Sequence, residues 1–219
     1  MEPVQISRVI RQRPSPNCGP RRDGLRPTLI VLHYTAMTSA EAAIERLCDP
    51  IAEVSAHYVI ANTGEITQLV PDDIRAWHAG AGRWHGQDDI NSRSIGIELD
   101  NDSSHPFSER LMHSLETLLE QIMDRWNIPP EGVIGHSDFA PGRKVDPGPR
   151  FDWARLARQD LAAKSPPKGC TADDFTTLAG SAGYDTTVAP DDLLQAVRLR
   201  WNQSATGPLS QNDHVVLKA

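Results

Sequence analysis

The residues with the clearest capacity for chemistry lie in one loop-forming stretch, GHSDFAPGRKVDPGPRFDW, which begins at Gly135. It places His136, Lys144 and Asp146 among prolines and glycines, which fix or release the backbone φ angle at set points and interrupt regular structure. In an extended chain Lys144 and Asp146 share one face because they are two residues apart. Such a loop could hold metal ligands beside a cation. A rigid surface connection with solvated charges has the same composition, so this stretch alone leaves both interpretations open.

Two histidines stand at the ends of apolar strands. His33 directly follows the run LIVL at 29–32, and His136 follows the short apolar run at 133–134. The C-terminal ends of strands line the ligand crevice of open α/β sheets. With Asp146 these histidines would offer two imidazoles and one carboxylate and leave a fourth position free, as in a catalytic zinc site. Nitrogen and oxygen donors do not exclude iron or manganese, and the distance along the chain means that spacing alone does not establish the site.

A third candidate position comes from the alternating segment SIGIELD at 94–100. Its isoleucines and its leucine fall on one face, whereas Gly96, Glu98 and Asp100 fall on the other. The segment therefore predicts a strand with one face in the core and a second face that carries carboxylates.

The remaining patterns predict the elements that hold these strands. A capping-box pattern of Thr38 and Glu41 begins a predicted helix at 38–48, and a broad apolar stripe predicts a longer helix at 108–126 that must cover the sheet. Residues 58–60 and 66–70 flank a short glycine-containing turn, as in an antiparallel hairpin. Asp152 is placed to cap a last helix. The expected fold class is α/β, with a mixed central β-sheet flanked by helices.

The chain divides into three regions by composition. Residues 1–27 form an arginine- and proline-rich N-terminal arm, residues 28–164 form the main domain, and residues 165–219 begin with a Pro-Pro linker. This last region has two short helical candidates and little of a third, which makes a small helical C-terminal extension. Because so short a region could bury only a marginal core of its own, we expect it to pack against the main domain.

Charge and hydropathy exclude several partners and compartments. The formal net charge of −7 argues against nucleic acid and against an acidic membrane surface as general partners. No apolar run approaches the length of a membrane span or of a secretory signal, so a cytoplasmic location is expected for the chain as given. Three widely spaced cysteines indicate neither a disulfide framework nor a thiolate metal site. The sequence does not indicate an oligomeric state.

Five blocks carry a family resemblance: LHYT at 32–35, AHYVI at 56–60, WHAG at 77–80, NSRSIGIEL at 91–99 and GHSDFAPGRKVDPG at 135–148. In order and spacing they resemble the zinc-dependent N-acetylmuramoyl-L-alanine amidases of the type-2 amidase family, whose fold is shared with peptidoglycan recognition proteins. The resemblance covers roughly residues 26–160. It implies that residues 28–164 are a catalytic domain and that peptidoglycan fragments or muropeptides are the partners.

The resemblance also implies roles for individual residues. The family's metal ligands correspond to His33, His136 and Asp146, which would hold one Zn²⁺ per chain, and its two further catalytic groups correspond to Glu98 and Lys144. Zinc lowers the pKa of water toward neutrality, and a nearby carboxylate such as Glu98 can take and relay the proton. A fixed cation such as Lys144 can stabilise an oxyanion. An ordinary Glu98–Lys144 ion pair is the structural alternative.

Four residues are candidate substrate contacts. Trp77 and His78 could line the groove against a sugar or the stem peptide, or could equally cap the core. Asn91 and Arg93 offer donors for a carboxylate-bearing stem peptide, although Arg93 could only brace a loop.

The resemblance predicts a zinc hydrolase that cuts the amide bond between N-acetylmuramic acid and L-alanine in peptidoglycan or in anhydro-muropeptides. The alternative is a non-catalytic muropeptide-recognition module of the same fold. Suitable residues at all three ligand positions and both catalytic positions favour the enzyme.

Overall fold

A six-stranded mixed sheet organises the computed structural model, which describes residues 10–166 and 174–218. The strands run in the order β1-β5-β4-β7-β3-β8, and β2 and β6 form a separate two-stranded sheet. The strand bounds are β1 Arg11–Gln12, β2 Cys18–Gly19, β3 Leu29–Tyr34, β4 Tyr58–Ile60, β5 Ile66–Gln68, β6 Arg75–Ala76, β7 Ser94–Leu99 and β8 Val133–Gly135.

The centre of the sheet is parallel and one side of it is antiparallel. Strand β3 lies between β7 and β8 and is parallel to both, and β7 is also parallel to β4. The predicted hairpin is confirmed as the antiparallel pair β4 and β5. The described part of the N-terminal arm contributes two short strands: β1 extends the sheet beside β5, and β2 pairs with β6. Two-residue strands carry no periodic signal, so the sequence did not predict them.

Helices cover both faces of the sheet. Their bounds are α1 Ala40–Cys48, α2 Ile90–Arg93, α3 Glu109–Trp126, α4 His136–Phe139, α5 Trp153–Arg158, α6 Phe175–Ser181, α7 Pro190–Trp201 and α8 Gln211–Lys218. The predicted cap of α1 at Thr38 is wrong by one residue, since the Ser39 side chain accepts from Ala42 N. Asp152 caps α5 as expected, and Ser108 caps α3; each side chain accepts a backbone N–H from the first turn. No described helix is long and apolar enough to cross a membrane.

One face of the sheet packs against α3. Ile30 and Leu32 of β3, with Ile95 and Ile97 of β7, form a core with the apolar stripe of this helix. The predicted alternation of the 94–100 segment is therefore confirmed, since its isoleucines lie on the α3 side. The intervening residues of β3 and β7, among them His33 and Glu98, face the opposite side of the sheet.

The opposite face is covered by the C-terminal helices and by α1. Leu29 and Val31 of β3 belong to the same buried cluster as residues of α6, α7 and α8, while α1 packs on β4 and on Leu69 and Val70, which follow β5. The expectation that the C-terminal region packs against the main domain is thus confirmed. The expectation of little third helix is wrong, because α8 closes a three-helix group. Residues 167–173, which include part of the predicted linker, lie outside the described residues.

Candidate metal centre and active site

Three predicted ligands meet on the face of the sheet opposite α3. His33 lies near the end of β3, His136 begins the single-turn helix α4, and Asp146 lies on the proline- and glycine-rich loop. Asp146 Oδ2 lies 2.8 Å from His33 Nδ1 and 3.0 Å from His136 Nδ1. All three ligand atoms lie within 4.8 Å of one another, and all three residues are buried. The loop and the two strands therefore bring together residues that are far apart in sequence.

A chain of hydrogen bonds fixes the proton on His33. The Ser94 hydroxyl donates to Ile90 O at 2.6 Å, so it accepts from His78 Nε2 at 3.1 Å. His78 Nδ1 then carries no proton and accepts from His33 Nε2 at 3.0 Å. This direction of donation puts the His33 proton on Nε2 and leaves Nδ1 as the atom that faces Asp146.

A backbone carbonyl fixes the position of the proton on His136. Its Nε2 donates to Ala79 O at 2.9 Å, which again leaves Nδ1 facing Asp146. Burial lowers the pKa of His136 to about 4, with a further decrease from the nearby His33, so this imidazole is neutral at pH 7. Metal-binding histidines typically have their second ring nitrogen bonded in this way.

This donor set fits a metal ion. With one proton on each imidazole at Nε2, the three converging atoms are all acceptors: two ring nitrogens and one carboxylate oxygen. A single proton could join only one pair of these atoms, whereas a metal ion contacts all three at once. Two imidazoles and one carboxylate suit zinc and would leave a coordination position for water or substrate.

Glu98 lies beside this cluster, at the position of β7 that is in register with His33. Burial raises the pKa of Glu98 to about 7, and the charge of Asp146 adds to this effect, while His33 and Lys144 oppose it. Its Oε2 atom is buried and has no hydrogen-bond partner among the described residues, so this oxygen forms no ion pair with Lys144. A carboxylate with a pKa near 7 and a free oxygen is suited to accept and return a proton.

A cavity of about 420 Å³ opens over these groups. Its lining includes the three candidate ligands, Glu98 and the exposed Lys144, together with Trp77 and His78. Both predicted catalytic groups thus face one space with the candidate metal site. The role of Trp77 as a substrate contact stays a prediction.

The other predicted substrate contacts lie in different surroundings. Both ring nitrogens of His78 form hydrogen bonds, one with His33 and one with Ser94. His78 therefore supports a candidate metal ligand and also lines the cavity. The buried Asn91 side chain accepts from His78 N at 2.9 Å and from Ala79 N at 2.8 Å. Arg93 donates to Asp88 O at 2.9 Å. Neither Asn91 nor Arg93 lines the cavity, and their substrate roles stay predictions.

Sequence reasoning missed three residues that shape the site. Ser94 sets the direction of the histidine chain, and Arg143 donates to Ala79 O at 2.7 Å beside His136. A Cβ atom at Gly96 would lie 2.5 Å from the His78 ring, so only glycine lets that ring pack on β7. Glycine inside an alternating strand is a usable signal of such close approach. No comparable signal marks Ser94, because its role depends on which residues pack against the strand.

Comparison with known proteins places this chain in a family. Residues 23–149 match the family described as N-acetylmuramoyl-L-alanine amidase. The chain is similar to the 1,6-anhydro-N-acetylmuramyl-L-alanine amidase AmpD of Escherichia coli, with 37% identity over 163 residues that cover 67% of this chain and 89% of AmpD.

Two solved structures match nearly the whole chain. One is the N-acetylmuramyl-L-alanine amidase AmiD from E. coli, in complex with the substrate anhydro-N-acetylmuramic acid-L-Ala-D-gamma-Glu-L-Lys; it aligns with a TM-score of 0.76 and 29% identity over 94% of this chain and 91% of AmiD. The other is AmpDh3 from Pseudomonas aeruginosa in complex with anhydromuramic pentapeptide, with a TM-score of 0.77 and 26% identity over 99% of this chain and 96% of AmpDh3.

Proposed function

Because the chain belongs to the N-acetylmuramoyl-L-alanine amidase family and is an amide hydrolase of that kind, we propose that His33, His136 and Asp146 hold a zinc ion that its reaction requires. We further propose that Glu98 and Lys144 are its catalytic residues. The bond that is cut joins the lactyl carbonyl of N-acetylmuramic acid to the nitrogen of L-alanine.

The convergence of three acceptor atoms is the observation that carries the proposal. Asp146 Oδ2 lies within 3.0 Å of both Nδ1 atoms, and the proton of each imidazole is held on its far side. A cation among these atoms stabilises them together. When bound, zinc supplies a Lewis acid that polarises the scissile carbonyl and lowers the pKa of a water molecule toward 7.

Glu98 and Lys144 supply the proton transfer and the charge stabilisation. Glu98 takes the proton that the attacking water loses and gives it to the L-alanine nitrogen as the C–N bond breaks, which a carboxylate with a pKa of about 7 can do in both directions. The ammonium of Lys144 stabilises the negative charge that forms on the former carbonyl oxygen. Both residues line the cavity that would receive the substrate.

Soluble anhydromuramyl peptides are the proposed substrate class. Two structurally similar proteins, AmiD and AmpDh3, have solved structures in complex with anhydromuramyl peptides. The similar protein AmpD is named as a 1,6-anhydro-N-acetylmuramyl-L-alanine amidase. Both observations support this substrate class. A cytoplasmic location fits soluble fragments rather than the intact wall and stays a prediction. Fractionation of the producing cells tests it.

Product analysis by mass spectrometry tests the proposed function. The zinc-loaded chain is incubated with an anhydro-N-acetylmuramyl peptide or with intact peptidoglycan, with and without a chelator. We expect free stem peptide and anhydro-N-acetylmuramic acid from the soluble substrate, loss of both products with chelator, and recovery on addition of zinc. Equal turnover with and without chelator would contradict the zinc requirement. Release from intact peptidoglycan alone would contradict the substrate class.

A further inference from the structure

The C-terminal helices contact the turn that carries His136. Tyr184, between α6 and α7, donates its hydroxyl proton to Asp138 Oδ1 at 3.0 Å. Arg200, near the end of α7, places Nη1 3.9 Å from Asp138 Oδ2. All three side chains are buried. Asp138 lies two residues after His136, so the C-terminal region contacts the short helix that carries this candidate metal ligand.

Asp138 also holds the first residues of the single-turn helix α4. Its Oδ2 accepts from Gly135 N at 2.7 Å, directly before His136. Helix α4 has only four residues, too few to be stable through its own backbone bonds. Its Gly135 cap has no side chain to add a bond of its own. The orientation of His136 therefore depends on what holds Asp138.

Arg200 also holds the strand that leads into this turn. Its Nη2 donates to Val133 O at 3.1 Å, and its guanidinium stacks 3.5 Å over the Trp153 ring. One buried cation thus contacts the chain on both sides of His136, at Val133 and at Asp138. A planar guanidinium can make these contacts together with the ring stacking, whereas an ammonium cannot.

We propose that Tyr184 and Arg200 are positioning residues for the metal ligand His136, so that the C-terminal helical region is part of the metal centre's support. This inference rests on the proposed zinc site. The region would act through Asp138: loss of either contact lets Gly135 and His136 shift, and the His136 Nδ1 atom no longer meets His33 and Asp146 in a favourable arrangement. Supporting contacts around metal ligands are worth about 10- to 100-fold in metal affinity.

Zinc affinity of the full chain tests this role directly. The dissociation constant is measured by competition with a chromophoric chelator, at a temperature where every variant is folded by circular dichroism. We expect Tyr184→Phe and Arg200→Lys each to weaken zinc binding by about 10-fold. Turnover at limiting zinc falls in parallel and recovers with excess zinc, while KM for an anhydromuramyl peptide stays unchanged.

Arg198→Lys is the matched control. Arg198 lies on the same helix, but its guanidinium pairs with Asp213 at 2.8 and 2.9 Å, inside the C-terminal region. We expect this variant to lose thermal stability and to keep the wild-type zinc affinity. Wild-type zinc affinity in Tyr184→Phe, or equally weakened zinc binding in Arg198→Lys, would overturn this inference and leave the proposed zinc site standing. A wild-type chain that binds no zinc would overturn the proposed zinc site and this inference together.

Discussion

His33 and Glu98 lie in register on the parallel strands β3 and β7, with both side chains on the face of the sheet away from α3. Registered residues of neighbouring strands point to the same side, so the sheet itself sets a candidate metal ligand next to a carboxylate with a raised pKa. The loop that carries Lys144 and Asp146 lines the same cavity as His33 and Glu98. The pair of central strands therefore positions His33 and Glu98.

Replacement of Lys144 by methionine should slow the chemical step. The loss of one oxyanion-stabilising group costs about 10²- to 10³-fold in kcat, and zinc content should stay unchanged because Lys144 is not a ligand. Steady-state kinetics and metal analysis measure the two quantities. Lys164→Met is the control, since Lys164 is an exposed residue paired with Asp160 and should be replaceable without effect. Wild-type kcat in Lys144→Met would contradict the proposed role.

Removal of the Ser94 hydroxyl should weaken zinc binding. Without it, His78 loses the acceptor that fixes its proton on Nε2, and His33 is free to place its own proton on the metal-facing nitrogen. We expect Ser94→Ala to raise the dissociation constant for zinc by about 10-fold. Ser92→Ala is the matched control: Ser92 is equally buried but bonds to Arg22 and Arg75. Equal zinc affinity in Ser94→Ala and wild type would rule out this proton chain.

The buried His57 should make stability depend on pH. Its Nδ1 accepts from Gly96 N and its Nε2 donates to Ile74 O, so the ring is neutral in the fold. Burial, with the nearby charge of Arg21, lowers the pKa of His57 from 6.5 to about 4. As the pH falls from 6.5 to 4, the unfolded chain binds this proton and the folded chain does not. His57 alone should therefore lower the free energy of unfolding by about 3 kcal/mol over this range.

Denaturant unfolding of metal-free protein across that pH range measures the effect. His57→Gln should be less stable at neutral pH and should lose the part of the fall that comes from His57, whereas the part that comes from the similarly lowered pKa of His136 should remain. His113→Gln is the control, because His113 is exposed on α3 and should leave the slope unchanged. An unchanged slope in His57→Gln would show that other groups cause the acid sensitivity.

The sequence predicted those parts of the molecule that rest on periodicity. The apolar stripe of α3, the alternation of β7 and the pairing of β4 with β5 each follow from residue spacing, and the structure contains all three. The three candidate ligands came from residue type at the ends of strands together with the family resemblance. Helix α4 is a single turn with no periodic signal, so its form could not be predicted.

Contacts that depend on tertiary packing could not be predicted. The chain from His33 through His78 to Ser94 joins three separate segments, and no local pattern marks it. The sequence therefore predicts His78 only as a substrate contact or as a residue that caps the core. The contacts of Tyr184 and Arg200 with Asp138 likewise require knowledge of how the C-terminal helices dock.

In the proposed reaction the His33, His136 and Asp146 cluster holds a zinc ion while Glu98 transfers the proton. The most direct measurement determines zinc per chain and amide-bond turnover together in wild type, Glu98→Gln and His136→Ala. We predict that Glu98→Gln keeps zinc and loses turnover by about 10²- to 10⁴-fold, whereas His136→Ala loses both. Wild-type turnover in Glu98→Gln would contradict the role of Glu98, and undiminished zinc in His136→Ala would contradict the role of His136.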